Sequence, residues 1–97
     1  VNIVNYKGMP KVVISGHARE QMEERGITEE LIFSIIENPQ QTIAQGEDKL
    51  IYQSICYFQE EAKEFLVRVF VNIIKIPNLV ITVYLTSKVE KYWRNEN

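Results

Sequence analysis

Hydrophobic and polar positions change their period along the chain. From Ser15 the apolar residues Ala18, Met22 and Ile27 fall on one helical stripe. Ser15 is a ready N-cap and Gly26 suits the left-handed position after a last helical turn, which predicts a helix over about residues 16–25. Thr28 offers a second N-cap, and Glu29 and Glu30 complement the positive end of a helix. Leu31, Ile32, Ile35 and Ile36 then repeat at helical spacing until Asn38-Pro39. A very short turn between the two predicts a helical hairpin over residues 15–38. After Pro39 the pattern is that of strands, over residues 41–45, 50–58, 64–76 and 79–86. Gly46-Glu47-Asp48, Gln59 to Ala62 and Pro77-Asn78 divide them with turn chemistry. Upstream, Val1 to Val4 and Lys11 to Ile14 flank the turn-like Lys7-Gly8-Met9-Pro10, so residues 1–14 are expected to be an N-terminal strand or arm.

The element order predicts an α+β fold, with the N-terminal helical hairpin packed on one face of an antiparallel four-stranded meander over residues 40–88 and a tail over residues 89–97. Alternation refines this. Phe65, Val67, Val69, Val71 and Ile73, with Leu79, Ile81, Val83 and Leu85, are expected to form the face the helices cover. The opposite face would carry Leu66, Arg68, Phe70 and Asn72 beside Val80, Thr82, Tyr84, Thr86 and Lys88. Such a face has groups that bind phosphate and base, and it is equally what a solvent-facing sheet presents. At 97 residues and 45% hydrophobic composition the chain is expected to be one domain over residues 1–97.

Charge adds polarity to this picture. The formal net charge is −2, which by itself disfavours a nucleic-acid binder. Residues 15–62, however, hold ten acids and three bases (net −7), and residues 63–95 hold six bases and two acids (net +4). The single Cys56 cannot form an internal disulfide, and nothing at the N-terminus resembles a secretory leader, so a cytoplasmic protein is expected. Apolar runs such as Phe65 to Ile76 are broken by Arg68, Asn72 and Lys75, and no membrane span is expected. Phosphate-binding glycine loops, dinucleotide fingerprints, paired-cysteine zinc spacings, HExxH and GxSxG elbows do not occur, so neither a cofactor nor a metal is expected.

The segment Ser15-Gly16-His17-Ala18-Arg19-Glu20-Gln21-Met22-Glu23-Glu24-Arg25-Gly26-Ile27 resembles a prokaryotic domain-of-unknown-function family with the signature H-A-x-x-R-M-x-x-R-G-I. Asn38-Pro39 and the closing Ile81 to Trp93 extend the similarity over about residues 13–93. That family is grouped with the RelE and barnase-like metal-independent ribonucleases, many of them toxins of toxin-antitoxin pairs. The resemblance therefore implies a RelE-like fold, RNA as substrate and an antitoxin protein as partner. Gln21 stands where the signature has its first arginine, which implies a lost charge at that point and a weakened or altered activity.

Metal-free RNA cleavage needs a base for the 2′-hydroxyl, cations for the phosphate and an acid for the leaving 5′-oxygen. Under this reading His17 is the proton-transfer group, since histidine titrates near neutrality. As the only histidine it excludes a two-histidine mechanism, leaving Lys88, Tyr84, Tyr92 or water as its partner. Arg68 and Lys88 are the catalytic cations; Arg25, Tyr84, Thr86 and Tyr92 are the expected RNA-binding groups. Each has a plain structural alternative: His17 and Arg25 as helix-end residues, Arg68 as a salt-bridge partner, and Tyr92 with Trp93 as an anchor for the tail. Two function classes follow. One is a toxin-like RNA-acting protein, a metal-independent endoribonuclease; the other is a non-catalytic protein-interaction module with the same fold.

Overall fold

The computed structural model describes residues 12–95 and the backbone of residues 5–6 and 9–10; the expected strand at Val1 to Val4 lies outside the described residues. In chain order the elements are β1 (Asn5–Tyr6), β2 (Met9–Pro10), β3 (Val12–Ile14), α1 (Gly16–Arg25), α2 (Glu29–Glu37), β4 (Gln41–Gln45), β5 (Lys49–Phe58), β6 (Lys63–Asn72), β7 (Asn78–Thr86) and α3 (Val89–Tyr92). β1 and β2 form a small antiparallel pair. The other strands make one five-stranded sheet in the order β3-β7-β6-β5-β4.

Local chemistry fixes both long helices. The Ser15 hydroxyl accepts the Ala18 amide at 3.1 Å, and the Thr28 hydroxyl accepts the Leu31 amide at 3.2 Å. α1 ends where Gly26 turns left-handed (φ 68°, ψ 33°), its N–H reaching the Glu23 carbonyl while the Ile27 N–H reaches the Met22 carbonyl at 2.9 Å. These two bonds are the paired closure of a Schellman motif.

The four-stranded antiparallel meander is corrected by the sheet order. Its antiparallel part, β4-β5-β6-β7, gains β3 as a fifth strand running parallel to β7, with Val12, Val13 and Ile14 opposite Asn78, Leu79 and Val80. A three-residue strand carries no readable period, and its partner lies at the far end of the sequence. The helical hairpin is also corrected. α1 packs against β7 while α2 lies over β5 and β6, so the two helices lie mainly on different strands, with the Arg19–Glu29 ion pair between them. A short third helix, α3, follows the sheet.

Strand phase differs from simple alternation as well. Phe70 pairs with Thr82 but Val71 with Val80, so Ile81 is an extra, bulged residue on β7. Beyond the bulge the strand reverses its faces, and Val80, expected on the polar side, joins Val67, Val69 and Val71 in the core. All four valines are fully buried, beneath Ala18, Ile32, Phe33 and Ile35. Burying each such aliphatic side chain contributes roughly 1.5–3 kcal/mol before entropy is counted.

The end of β3 leaves β7 without a strand partner past Val80 on that side. α1 covers the gap. The Ser15 N–H donates to the Val80 carbonyl at 3.0 Å, and farther along the Gln21 Oε1 accepts the Val83 N–H at 2.8 Å. Glutamine here replaces a missing strand. No helix among the described residues is long and apolar enough to cross a membrane.

Two stability outcomes follow from these contacts. Gly26→Ala should cost about 1–2 kcal/mol in urea unfolding, from the left-handed backbone alone, because an added Cβ meets nothing within 4 Å. Gln21→Leu leaves the Val83 N–H unpaired and should cost about 1–3 kcal/mol, with Gln21→Arg no better because a guanidinium cannot accept a hydrogen bond.

Candidate nucleic-acid interface

The sheet face opposite the helices carries one polar row crossing four strands. Register places Gln41 opposite Gln53, Gln53 opposite Arg68, and Arg68 opposite Tyr84. Neighbouring positions on this face are mainly apolar: Ile43, Ile51 and Phe70 on one side, Ile55 and Leu66 on the other. The row is thus a narrow hydrophilic seam, within which Gln41, Gln53 and the Arg68 Nε are joined by hydrogen bonds.

Gln53, at 0% exposure, is its centre. Its Oε1 accepts the Arg68 Nε–H at 2.9 Å, and its Nε2 donates to the Gln41 Oε1 at 2.8 Å and to the Tyr92 carbonyl at 3.2 Å. Gln41 in turn donates to the Arg94 carbonyl at 2.5 Å and accepts the Arg94 N–H at 3.0 Å. Residues 92–94 therefore cross this face as a strap, with its backbone bonded to the two glutamines. The face expected to be open is partly roofed.

Arg68 lies beneath the strap, half-buried, with its guanidinium carbon 4.3 Å from the Tyr92 ring centroid and 5.3 Å from that of Phe70. Among the described residues only its Nε has a hydrogen-bond partner, so the two terminal nitrogens keep their donors for a ligand. Burial lowers the Arg68 pKa, the tyrosines at 92 and 84 oppose that effect, and Arg94 adds to it; an arginine so placed stays charged. Tyr84, 40% exposed, meets Tyr92 edge to face at 5.7 Å between centroids. Hydrogen bonding to the Tyr84 side chain is the main cause holding the Tyr92 phenol below its ordinary value, helped by Lys91 and Arg68.

Of the residues singled out from sequence, the fold thus brings together Arg68, Tyr84 and Tyr92. Thr86 lies in the next row, buried opposite Leu66, where its hydroxyl accepts the Lys88 N–H at 3.0 Å. Lys88 is exposed at the start of α3, in a cleft of about 470 Å³ shared with Ser87 and residues 89–91. His17 and Arg25 stand elsewhere. His17 is exposed in the first turn of α1, on the stripe that one turn later holds Gln21 against β7. Arg25, exposed at the other end of α1, lines a cleft of about 310 Å³ with Phe58, Gln59, Glu60 and Glu61. The cation that pairs with Glu29 is Arg19, whose guanidinium bonds the Glu29 carboxylate on the exposed surface.

Sequence reasoning passed over Gln41, Gln53 and Arg94. The available signal was Gln53 itself, a polar residue between Ile51 and Ile55 on the same face of a strand. Among the described residues no group of three or more His, Cys, Asp or Glu side chains could hold a metal ion.

Fold and seam together define a small α+β domain that offers one anchored arginine between two tyrosines on a mixed sheet. The chain belongs to the family described as a domain of unknown function (DUF4258), whose model matches residues 14–85. No curated protein and no solved structure matches the chain. The family match includes Gln41, Gln53, Arg68 and Tyr84, while the strap lies beyond it.

Cys56 is no part of this site. Half-buried on β5, its thiol is pushed up by burial, so less thiolate is present at any pH than for an exposed cysteine. Alkylation of the folded protein by iodoacetamide at pH 8 should accordingly be slower than that of the urea-unfolded chain, with the ratio narrowing as pH rises.

Proposed function

We propose that the protein acts on single-stranded RNA, as a metal-independent endoribonuclease of the toxin-like kind that its helix α1 signature resembles. The observation that carries this reading is the Arg68 guanidinium, fixed through Nε on Gln53 with its terminal nitrogens available and flanked by Tyr84 and Tyr92. A guanidinium so fixed suits two oxygens of one phosphate, and the exposed ring of Tyr84 suits an unstacked base. Lys91 and Arg94 add positive charge around it, within the chain's basic part.

In the cleavage step the ribose 2′-oxygen forms a bond to phosphorus as the bond to the 5′-oxygen breaks, leaving a 2′,3′-cyclic phosphate and a 5′-hydroxyl. Arg68 would stabilise the charge that develops on the phosphoryl oxygens. Tyr92, with its phenol held below the ordinary value, would deliver the proton to the leaving oxygen while water accepts the one from the 2′-hydroxyl. His17 stands outside this cluster, and the scheme does not depend on it.

A specific observation favours the second class. Ile74 and Ile76, in the loop between β6 and β7, are 64% and 90% exposed, an apolar pair suited to a protein partner. The non-catalytic module would use such a surface and leave RNA untouched.

End-labelled single-stranded RNA incubated with the protein in EDTA separates these readings. Cleavage to cyclic-phosphate ends is expected, reduced on the order of 10²-fold or more in Arg68→Ala and about 10²-fold in Tyr92→Phe. Equal loss in His17→Ala and Arg68→Ala would place proton transfer on α1 instead. Neither cleavage nor binding by the unaltered protein, together with no growth arrest on induced expression, would leave the interaction module.

A further inference from the structure

The strap and the arginine beneath it are joined through one side chain. Gln53 holds the Arg68 Nε with its oxygen, and with its nitrogen it holds both the Tyr92 carbonyl and the Gln41 oxygen that receives the Arg94 N–H. Each amide atom is thereby committed to a different part of the site. We infer that Gln53 is a positioning residue that couples docking of residues 92–94 to presentation of Arg68, so that the RNA site exists in its binding form only while the strap is seated.

Geometry and energetics favour coupling over two independent contacts. Rotating the Gln53 amide away from either partner would leave a polar atom unpaired at a fully buried position, which costs about as much as losing the bond itself. The strap contributes the Tyr92 ring that covers the guanidinium, so its release would remove a stacking face and bring water to Arg68. Tethering of the strap relies on main-chain groups of Tyr92 and Arg94, so it can come away without disrupting the core beneath.

This inference rests on the Arg68 face being the RNA site, but docking can be read without RNA. Trp93 is the only tryptophan and lies half-buried within the strap, so its emission reports whether the strap is seated. Arg94→Pro in the full chain removes the N–H that Gln41 accepts and leaves the sheet unaltered. The extended Trp93 backbone (φ −75°, ψ 132°) is compatible with a following proline. Arg94→Ala serves as its control, losing the same charge but keeping the N–H. Gln53→Leu removes both links at once.

Relative to Arg94→Ala, the Arg94→Pro protein should show red-shifted Trp93 emission, greater iodide quenching and on the order of tenfold weaker binding of a fluorescein-labelled oligouridine, with far-UV circular dichroism unchanged. Gln53→Leu should reproduce the emission change and bind at least as weakly; if it fails to fold, the Arg94 pair alone decides. Unchanged Trp93 emission in Arg94→Pro would overturn the docking role. A red shift with unaltered RNA affinity would overturn the coupling. Failure of Arg68→Ala to weaken RNA binding would instead refute the RNA site, with docking still decided by the Trp93 emission.

Discussion

A glutamine sealed inside a sheet must have its amide answered entirely by protein, and the arrangement around Gln53 follows from that requirement. Its three bonds reach β4, β6 and the strap, so its position ties elements far apart in sequence. The same bonds leave Arg68 held through its Nε, with its terminal nitrogens outside the seam's hydrogen bonds. Polar groups inside an apolar sheet face are costly singly and tolerable only when joined. A seam of this kind therefore acts as a specificity device: it accepts a narrow set of strand registers, because shifting one strand by a single residue would turn its polar member to the other face, and shifting it by two would set amides against isoleucines.

The opposite side of the molecule solves a related problem at a strand edge. β7 would end its pairing with β3 at Val80 and expose main-chain groups, but α1 lies along that edge and Gln21 supplies an acceptor to Val83. Against the signature it resembles, Gln21 looks like an arginine lost and a charge removed. In the folded chain its oxygen is what matters, and an arginine has no such oxygen to offer. Substitution here changes which main-chain groups are satisfied before it changes any chemistry at the seam.

How much of this could be read beforehand depended on the range of the interactions involved. Ser15, Gly26 and Thr28 announce their roles because a cap is decided by residues within one turn. β3 shows only as the short β-branched run at Lys11 to Ile14, which suggests a strand or arm but not its place in the sheet, since three residues have no period and their partner is β7. The bulge at Ile81 was hidden by an unbroken apolar alternation from Leu79 to Leu85, which describes side chains but not the partner strand's count. Arg68, Tyr84 and Tyr92 could be named from their types, whereas Gln41 and Gln53 resemble ordinary surface glutamines until register puts them in one row.

The parallel pairing of β3 with β7 has a further consequence for the order in which the molecule can be completed during synthesis. β3 and α1 emerge from the ribosome early, yet the strand that both lean on is made only after the rest of the sheet. Until then β3 has no partner strand in the sheet and α1 has no edge to cover, while the β4-β5-β6 meander can begin to form with α2 from nearby contacts. The seam and its strap follow β7. A nascent or stalled chain thus carries Arg68 on an unfinished sheet, without the Tyr92 ring that covers it in the completed fold.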